Sequence, residues 1–386
     1  MSADVRPFAL HVPDVALADL RDRLRRTRWP EAETVAVQDG GPGGGPDWSQ
    51  GPPLSVVRAL VERWGSAYDW RRVESALNGH GQALTEVDGL DLHLLQVRSP
   101  RPDARPLVIT HGWPSSVLEP LAVMDALADP GSPDLPAFHV VAPSLPGFGF
   151  GARPAVTGWD VGRTADAWIE VMARLGHQRF YAAGGDWGGR VTAALGQRHP
   201  DRVAGLHSFT PYVVEPEVPG DLDATERAWV DGTHEFRRVG GGYSLEQSTR
   251  PQTVGYLLTD SPVAQLAWVL DKLWAWTDHD GDLFGVLTPD QVLDTVTLYW
   301  LSGTGGSSAR FYWEDFPPDN TGEVGVPSAA TIFPADIEKV PRPWVERRFT
   351  DLRSFTVADR GGHFPMLEVP DLYVDELRRA LGSMPW

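Results

Sequence analysis

The sequence predicts an α/β fold with a mostly parallel central sheet flanked by helices. From residue 83 onward, apolar strand-like runs alternate with amphipathic helical segments. RPLVITHGWPSS (105–116) and FHVVAPSLPGFGFG (138–151) each read as a strand followed by a loop, whereas TADAWIEVMARLG (164–176) has apolar residues at helical spacing. Strands that alternate with helices usually form a parallel sheet covered on both faces. We therefore expect such a layered core.

The same alternation divides the chain into segments. It stops near residue 212, where mainly helical and loop-like sequence begins, and strand-like runs return at AATIFP (329–334) and LRSFTVADRGGHF (352–364). A helical insertion between two blocks of α/β pattern is typical of a cap domain. We expect an N-terminal extension at residues 1–82, the first part of the core at 83–212, a helical cap at 213–320 and the second part of the core at 321–386.

The elements before the parallel strands follow in order. Residues 8–29 place Asp14 at an N-cap position ahead of apolar residues at helical spacing, and residues 54–70 predict a second helix. Residues 38–53 are rich in glycine and proline, which predicts a loop. In ALTEVDGLDLHLLQVRS (83–99), an Asp-Gly pair between two strand-like runs predicts a β-hairpin.

Composition excludes several classes of function. The 386 residues include no cysteine, which excludes disulfides, thiolate nucleophiles and sulfur-ligated metals and favours a cytoplasmic protein. No signal peptide and no run of about 20 apolar residues is visible, so we expect no transmembrane helix. The net charge of -18 argues against nucleic acid and anionic membrane surfaces as partners. Sixteen tryptophans predict an aromatic-walled pocket for an apolar ligand.

The stretch YAAGGDWGGRV (181–191) is the strongest catalytic signal. Its strand, glycine-flanked turn and helix match the G-x-S-x-G nucleophile elbow of α/β-hydrolases, with Asp186 in place of serine. Aspartate is also a common helix N-cap, but an ordinary cap does not need Gly184 and Gly188 on both flanks. A carboxylate is ionised at neutral pH and suits displacement at a saturated carbon, as in an epoxide or a haloalkane.

Displacement by a carboxylate leaves an ester on the enzyme, and cleaving that ester needs an oxyanion hole and a base. THGWPSS (110–116) follows a buried strand, which predicts that the N–H groups of Trp113 and Trp187 form the hole. His111 lies in the same loop between a buried strand and a Gly-Trp-Pro turn. The adjacent glycine and proline favour a scaffolding role in the loop over a role as the base, and geometry is the first test of any base.

A late histidine supplies the base. His363 lies on the glycine-rich loop ADRGGHFPMLE (358–368) after the last strand, where the chain order nucleophile, acid, histidine places it. The acid is less sharply defined. The position at the end of a strand-like run favours Asp336, and the rivals nearby or after the preceding strand are Glu338, Asp351, Asp359 and Glu215.

The motifs HGWP, GGDWGG, FPADI and RGGHF together resemble the microsomal-type epoxide hydrolases, which are α/β-hydrolases with an N-terminal extension and a helical cap. The opening RPFALHVPDVALADLRDRL and the cap segment beginning GYSLEQ extend the resemblance over nearly the whole chain. It implies that Asp336, in the F-P-x-[DE] segment, is the acid. Without the membrane anchor of the animal enzymes, it also implies a soluble, bacterial-type member.

The resemblance further implies two cap tyrosines that bind and protonate the epoxide oxygen. They are Tyr243 in GGYSLEQ and Tyr312 in SSARFYWE, whereas the residues alone give no reason to prefer any of the eight tyrosines. A phenol is a suitable donor, because it can hydrogen-bond a developing alkoxide and then protonate it. We expect Tyr243, Tyr312, Trp113 and Trp187 to contact the substrate.

The expected function is a cofactor-independent epoxide hydrolase, without a metal, that converts an apolar epoxide to a vicinal diol. An aromatic or polyketide-like substrate fits the tryptophan content. The expected partners are the small-molecule epoxide and water, and a homodimer stays open. Two alternatives stay open as well: a haloalkane dehalogenase, which shares the aspartate elbow, and a non-catalytic ligand-binding protein on the same fold.

Overall fold

The computed structural model describes residues 5–35, 46–216, 220–317 and 321–386. Residues 38–45 of the predicted glycine-rich loop and 318–320 at the end of the predicted cap lie outside these ranges. Within the described residues, nine strands form one sheet: β1 (Val5–Pro7), β2 (Gly81–Val87), β3 (Leu90–Val97), β4 (Arg105–Thr110), β5 (Phe138–Pro143), β6 (Phe180–Gly184), β7 (Val203–Ser208), β8 (Ser328–Ile332) and β9 (Leu352–Val357).

The sheet is antiparallel at one side and parallel through the rest. Its order is β1-β2-β3-β5-β4-β6-β7-β8-β9, in which β1 to β3 and the β3–β5 pair are antiparallel and every later pair is parallel. Asp88 and Gly89 join β2 to β3 with φ of 50° and 78°. Two positive φ angles are what a type I′ hairpin turn requires, so the predicted hairpin is confirmed.

Helices cover both faces of the sheet and fill the insertion. They are α1 (Asp14–Arg25), α2 (Leu54–Ser66), α3 (Trp70–Asn78), α4 (Leu118–Ala128), α5 (Val161–Arg174), α6 (Asp186–Arg198), α7 (Ala224–Val239), α8 (Gly242–Thr249), α9 (Pro251–Asp260), α10 (Pro262–Trp276), α11 (Pro289–Ser302), α12 (Gly305–Glu314), α13 (Arg342–Arg348), α14 (Pro365–Glu368) and α15 (Pro370–Gly382). Within the described part of the chain, no helix is long and apolar enough to span a membrane.

Local sequence explains most helix starts. Asp160 caps α5, because its carboxylate accepts the N–H of Arg163 at 2.7 Å. The predicted N-cap at Asp14 is wrong: Pro13 occupies the cap position and Asp14 is the first residue of α1. The carboxylate of Asp14 instead accepts a hydrogen bond from Arg71 of α3 at 2.5 Å, a tertiary contact that the local pattern does not contain.

The parallel strands bring their carboxyl ends to one edge of the sheet. The residues of β6, β7 and β8 are buried throughout, as expected for strands covered on both faces. The loops that follow β4, β6, β8 and β9 therefore meet at this edge, and helices α7 to α12 lie between β7 and β8 in the chain. Ligands of open α/β sheets bind outside such carboxyl ends, so the site is expected there.

Candidate active site

Asp186 lies in a tight turn between β6 and α6. Its φ is 51°, in the left-handed region that non-glycine residues seldom adopt. Two glycines permit this geometry. A Cβ on Gly188 would overlap the carbonyl oxygen of Thr110 at the end of β4, and a Cβ on Gly112 would lie 2.5 Å from that of Asp186. These glycines thus allow close contact between α6, the end of β4 and the loop that follows β4.

The carboxylate of Asp186 contacts the two groups predicted to work with it. Its Oδ1 accepts the N–H of Trp113 at 2.8 Å, and its Oδ2 lies 3.7 Å from Nε2 of His363. The Asp186 side chain is 22% exposed, so part of it remains accessible. The indole ring of Trp113 is buried and stacks on the ring of Tyr243. The backbone N–H of Trp113 is therefore the group of this residue that faces the nucleophile.

His363 and Asp336 form a buried pair beneath Asp186. Nδ1 of His363 lies 2.8 Å from Oδ1 of Asp336, whose Oδ2 accepts the hydroxyl of Thr210 at 3.1 Å. A carboxylate only accepts, so Nδ1 carries the proton and Nε2 faces Asp186. Burial alone would lower the pKa of His363, but the carboxylates of Asp336 and Asp186 raise it well above its ordinary value.

The other acid candidates pair with cationic side chains other than His363. Glu215 pairs with His234 at 2.8 Å, Glu338 with Arg237 at 2.9 Å, Asp351 with Arg353 at 2.5 Å and Asp359 with Arg360 at 3.2 Å. The structure thus places Asp336, among the predicted candidates, in contact with the histidine.

His111 is held by the backbone of its own loop. Its Nδ1 donates to the carbonyl of Gly112 at 2.9 Å, and its Nε2 accepts the N–H of Leu145 at 3.2 Å. Burial lowers its pKa to about 4, which keeps the ring neutral. Both ring nitrogens are therefore engaged, in agreement with the predicted scaffolding role.

Tyr243 of α8 and Tyr312 of α12 approach the nucleophile from the helical insertion. Their ring centroids lie 5.9 Å apart, and both residues line the same cavity as Asp186. Burial raises the pKa of both phenols well above the ordinary value, so they are protonated donors at neutral pH. Among the described residues, the buried hydroxyl of Tyr312 has no hydrogen-bond partner.

Trp187 lies at the junction of these groups. It follows Asp186 directly, so its N–H belongs to the first turn of α6, where N–H groups lack intrahelical partners. Its ring meets that of Tyr312 edge-on, with centroids 4.7 Å apart. The predicted pairing of its N–H with that of Trp113 at an oxyanion stays a prediction.

The cavity has a volume of about 580 Å³. Asp186, His363, Tyr243 and Tyr312 line one part of it. Its remaining wall includes the apolar residues Val213, Val214, Val230, Phe236, Leu245, Phe316, Ile337, Val340 and Trp344. Among the described residues, no three or more His, Asp or Glu side chains are grouped to hold a metal ion.

Sequence reasoning missed three residues that support the site. Thr210 holds Asp336, the carbonyl of Trp276 accepts the N–H of His363 at 2.9 Å, and the ammonium of Lys272 lies 4.7 Å from the ring centroid of Tyr243. The position of Thr210 just after β7 was a usable signal, because that strand ends at the same edge. Nothing in the sequence separated Trp276 or Lys272 from other residues of their types.

Two family models match the chain. The model described as "alpha/beta hydrolase fold" matches residues 105–239, and the model described as "Epoxide hydrolase N terminus" matches residues 5–120. Together with the sheet order and the elbow, the first match defines an enzyme of the α/β-hydrolase fold, which confirms the predicted fold class.

Relatives that match nearly the whole chain identify the family within this fold class. A Stigmatella aurantiaca protein named "Putative epoxide hydrolase" is 44% identical over 98% of this chain and 85% of its own length. Epoxide hydrolase 1 of Sus scrofa is 31% identical over 98% of this chain and 89% of its own. The solved structure of Aspergillus niger epoxide hydrolase has a TM-score of 0.87 and 30% identity, covering 99% of this chain and 96% of that one. The chain belongs to the epoxide hydrolases, as its motifs predicted.

Proposed function

We propose that this enzyme opens an epoxide through a covalent ester on Asp186 and then hydrolyses that ester to release a vicinal diol. The observation that carries the proposal is the arrangement of Asp186. Its carboxylate contacts the N–H of Trp113 on one side and lies near His363 on the other, and it shares a cavity with two protonated phenols. This arrangement supplies a nucleophile, a base and acids in one place.

In the first step, one carboxylate oxygen of Asp186 attacks a carbon of the epoxide and displaces the ring oxygen. The C–O bond of the ring breaks as the ester bond forms, and the oxygen takes the electron pair. Tyr243 and Tyr312 hydrogen-bond this oxygen, and one of them gives it a proton. A carboxylate needs no base for this attack, since it is already ionised.

Ester formation prepares the second step by removing the charge of Asp186. The pKa of His363 then falls, because one of the two carboxylates that raise it has become neutral. The proton that His363 releases restores the tyrosine that protonated the epoxide oxygen. The imidazole is thereby neutral when a base is required.

In the second step, Nε2 of His363 takes a proton from water, and the resulting hydroxide adds to the ester carbonyl. The N–H groups of Trp113 and Trp187 stabilise the oxyanion. Collapse of the adduct expels the diol oxygen, which takes the proton of the new carboxyl group. Asp186 is again a carboxylate and His363 again carries its proton, so the net reaction is epoxide plus water to diol.

The apolar part of the cavity wall supports a substrate class. Its aliphatic and aromatic side chains favour an epoxide with an apolar, aromatic or polyketide-like body. The two phenols favour an epoxide over a haloalkane, because an alkoxide needs a proton whereas a halide needs only N–H donors. A non-catalytic binding protein would have no use for the His363–Asp336 pair behind the carboxylate.

The test is the mass of the His363→Gln variant after mixing with styrene oxide. Alkylation needs no base and hydrolysis does, so the variant is expected to accumulate an adduct heavier by one substrate mass, located on the peptide that contains Asp186. Intact-protein and peptide mass spectrometry measure it. The control is the double variant Asp186→Ala/His363→Gln, which is expected to form no adduct. Normal turnover by His363→Gln, or an adduct on another residue, would refute the two-step mechanism.

A further inference from the structure

The cavity wall includes a cationic side chain, Arg190, that has no part in the proposed mechanism. Arg190 comes four residues after Asp186 in α6, and both side chains line the cavity. The guanidinium carbon of Arg190 lies 3.9 Å from the ring centroid of Tyr212 and 4.6 Å from that of Trp187. Two aromatic rings thus hold the guanidinium near the reactive groups.

Arg190 has more N–H donors than its protein partners occupy. A guanidinium carries five N–H groups, and within the described residues Arg190 makes one hydrogen bond, from Nη1 to Oδ2 of Asp315 at 3.1 Å. The Asp315 side chain is 3% exposed, whereas that of Arg190 is 25% exposed. The carboxylate is therefore covered, and the guanidinium keeps N–H groups accessible from the cavity.

Other charged side chains also line the cavity wall, and each has a partner in the protein. Arg237 pairs with Glu338 at 2.9 Å, His234 contacts Glu215 at 2.8 Å, and Lys339 donates to the backbone carbonyls of Pro334 and Asp336 at 3.0 and 2.9 Å. Among the described groups, Arg190 combines proximity to Asp186 with donors left for a ligand.

We propose that Arg190 binds an oxygen acceptor of the substrate, a carboxylate or carbonyl group within a few bonds of the oxirane, and so selects epoxides that carry such a group. The placement fits, because Arg190 and Asp186 line the same cavity, so a group a few bonds from an oxirane held at Asp186 lies toward the guanidinium. The inference rests on the proposed function for the position of the oxirane at Asp186. It adds a polar anchor to an otherwise apolar substrate.

The kinetic test compares three epoxides of one skeleton: trans-3-phenylglycidate, its methyl ester, and trans-1-phenylpropylene oxide, which has a methyl group in place of the carboxylate. The measured quantity is kcat/KM for each acceptor-bearing epoxide divided by that for the methyl compound. In Arg190→Gln this ratio is expected to fall at least about tenfold for the carboxylate, mainly through KM, because the contact is made with a non-reacting group. A larger fall for the carboxylate than for the ester identifies the charged acceptor as the preferred one, and the reverse identifies the carbonyl.

Matched variants distinguish binding by Arg190 from a general effect of positive charge in the cavity. Arg190→Gln/Asp315→Asn removes both charges, so that no buried carboxylate is left unpaired, and is expected to lose the same preference. Asp315→Asn removes the competing acceptor and is expected to raise the ratio. Arg237→Gln removes another cation of the cavity wall and is expected to change the ratio less than twofold. Equal ratios in wild type and both Arg190 variants, or an equal fall in Arg237→Gln, would overturn the proposal.

A binding measurement without chemistry distinguishes failure of this inference from failure of the proposed function. Cinnamate has the phenyl and carboxylate groups but no oxirane, and calorimetry gives its Kd for each variant. We expect Kd to rise at least about tenfold in Arg190→Gln/Asp315→Asn. Cinnamate binding that depends on Arg190, without hydrolysis of any of the three epoxides, would refute the proposed function and support the anchor. Hydrolysis of all three epoxides, with the Kd of cinnamate unchanged among the variants, would support the proposed function and refute the anchor.

Discussion

Asp186 illustrates how a single residue is prepared for reaction. Its φ of 51° is a conformation that costs free energy in a non-glycine residue, and contacts from the surrounding loop maintain it. The N–H of Trp113 holds one carboxylate oxygen and His363 lies beside the other. The carboxylate is therefore oriented before substrate binds, so little ordering remains to be done during attack.

The two tyrosines are expected to act together on the epoxide oxygen. If Tyr243 and Tyr312 share the epoxide oxygen, each single Phe variant is expected to alkylate about 10- to 100-fold more slowly, because one donor remains, and the double variant to lose most of its alkylation rate. Single-turnover stopped-flow quenching of tryptophan fluorescence measures this rate. Tyr256→Phe, which alters an exposed tyrosine of α9, serves as the control. An unaltered rate in the double variant would remove both phenols from the mechanism.

At the scale of elements, the site depends on how closely α6 approaches the end of β4. Spacing of small residues in a sequence predicts such an approach, which is why GGDWGG between a strand and a helix identified the elbow. The N-cap predicted at Asp14 was wrong because α1 begins one residue earlier, with Pro13 at the cap position. The Asp14 carboxylate accepts from Arg71, 57 positions away, and local sequence does not predict that contact. Thr210 is an intermediate case. The strand order predicts that it lies at the carboxyl edge of the sheet, but not that it donates to Asp336.

Gly188→Ala tests the helix–strand approach directly. The added Cβ would overlap the carbonyl oxygen of Thr110 and lie 2.9 Å from that of His111, and backbone atoms cannot move aside as side chains do. We expect a loss of at least about 2 kcal/mol in the free energy of unfolding, measured with urea. The control is Gly65→Ala in α2, where a Cβ meets nothing within 4 Å. That variant is expected to gain up to about 1 kcal/mol from helix propensity. Similar values for both variants would show that close packing at Gly188 is unimportant.

At the scale of the whole molecule, the N-terminal helices are bound to the helical insertion that carries the two tyrosines. Helices α1 to α3 pack against α10 and α11. The hydroxyl of Tyr68 donates to Asp294 of α11 at 2.8 Å, and Arg72 donates to both oxygens of that carboxylate at 2.6 and 2.8 Å. The sequence predicted the extension and the insertion as separate segments. It could not predict this junction, because partners more than 200 residues apart leave no local pattern.

The junction offers two ion pairs of the same kind that differ in burial. Asp294 is 12% exposed and binds Arg72 and Tyr68, whereas Asp290, one turn earlier on α11, is 35% exposed and pairs with Arg63 at 2.7 Å. Asp294→Ala leaves the buried phenol of Tyr68 without its acceptor, so we expect it to lower the free energy of unfolding by about 2–3 kcal/mol. Asp290→Ala breaks a pair that water already screens, so its loss is expected to stay below about 1 kcal/mol. Urea unfolding of both variants at the same pH and ionic strength provides the comparison. Equal losses would mean that the buried carboxylate does not tie the N-terminal helices to the insertion, and that apolar packing between the helices holds them together.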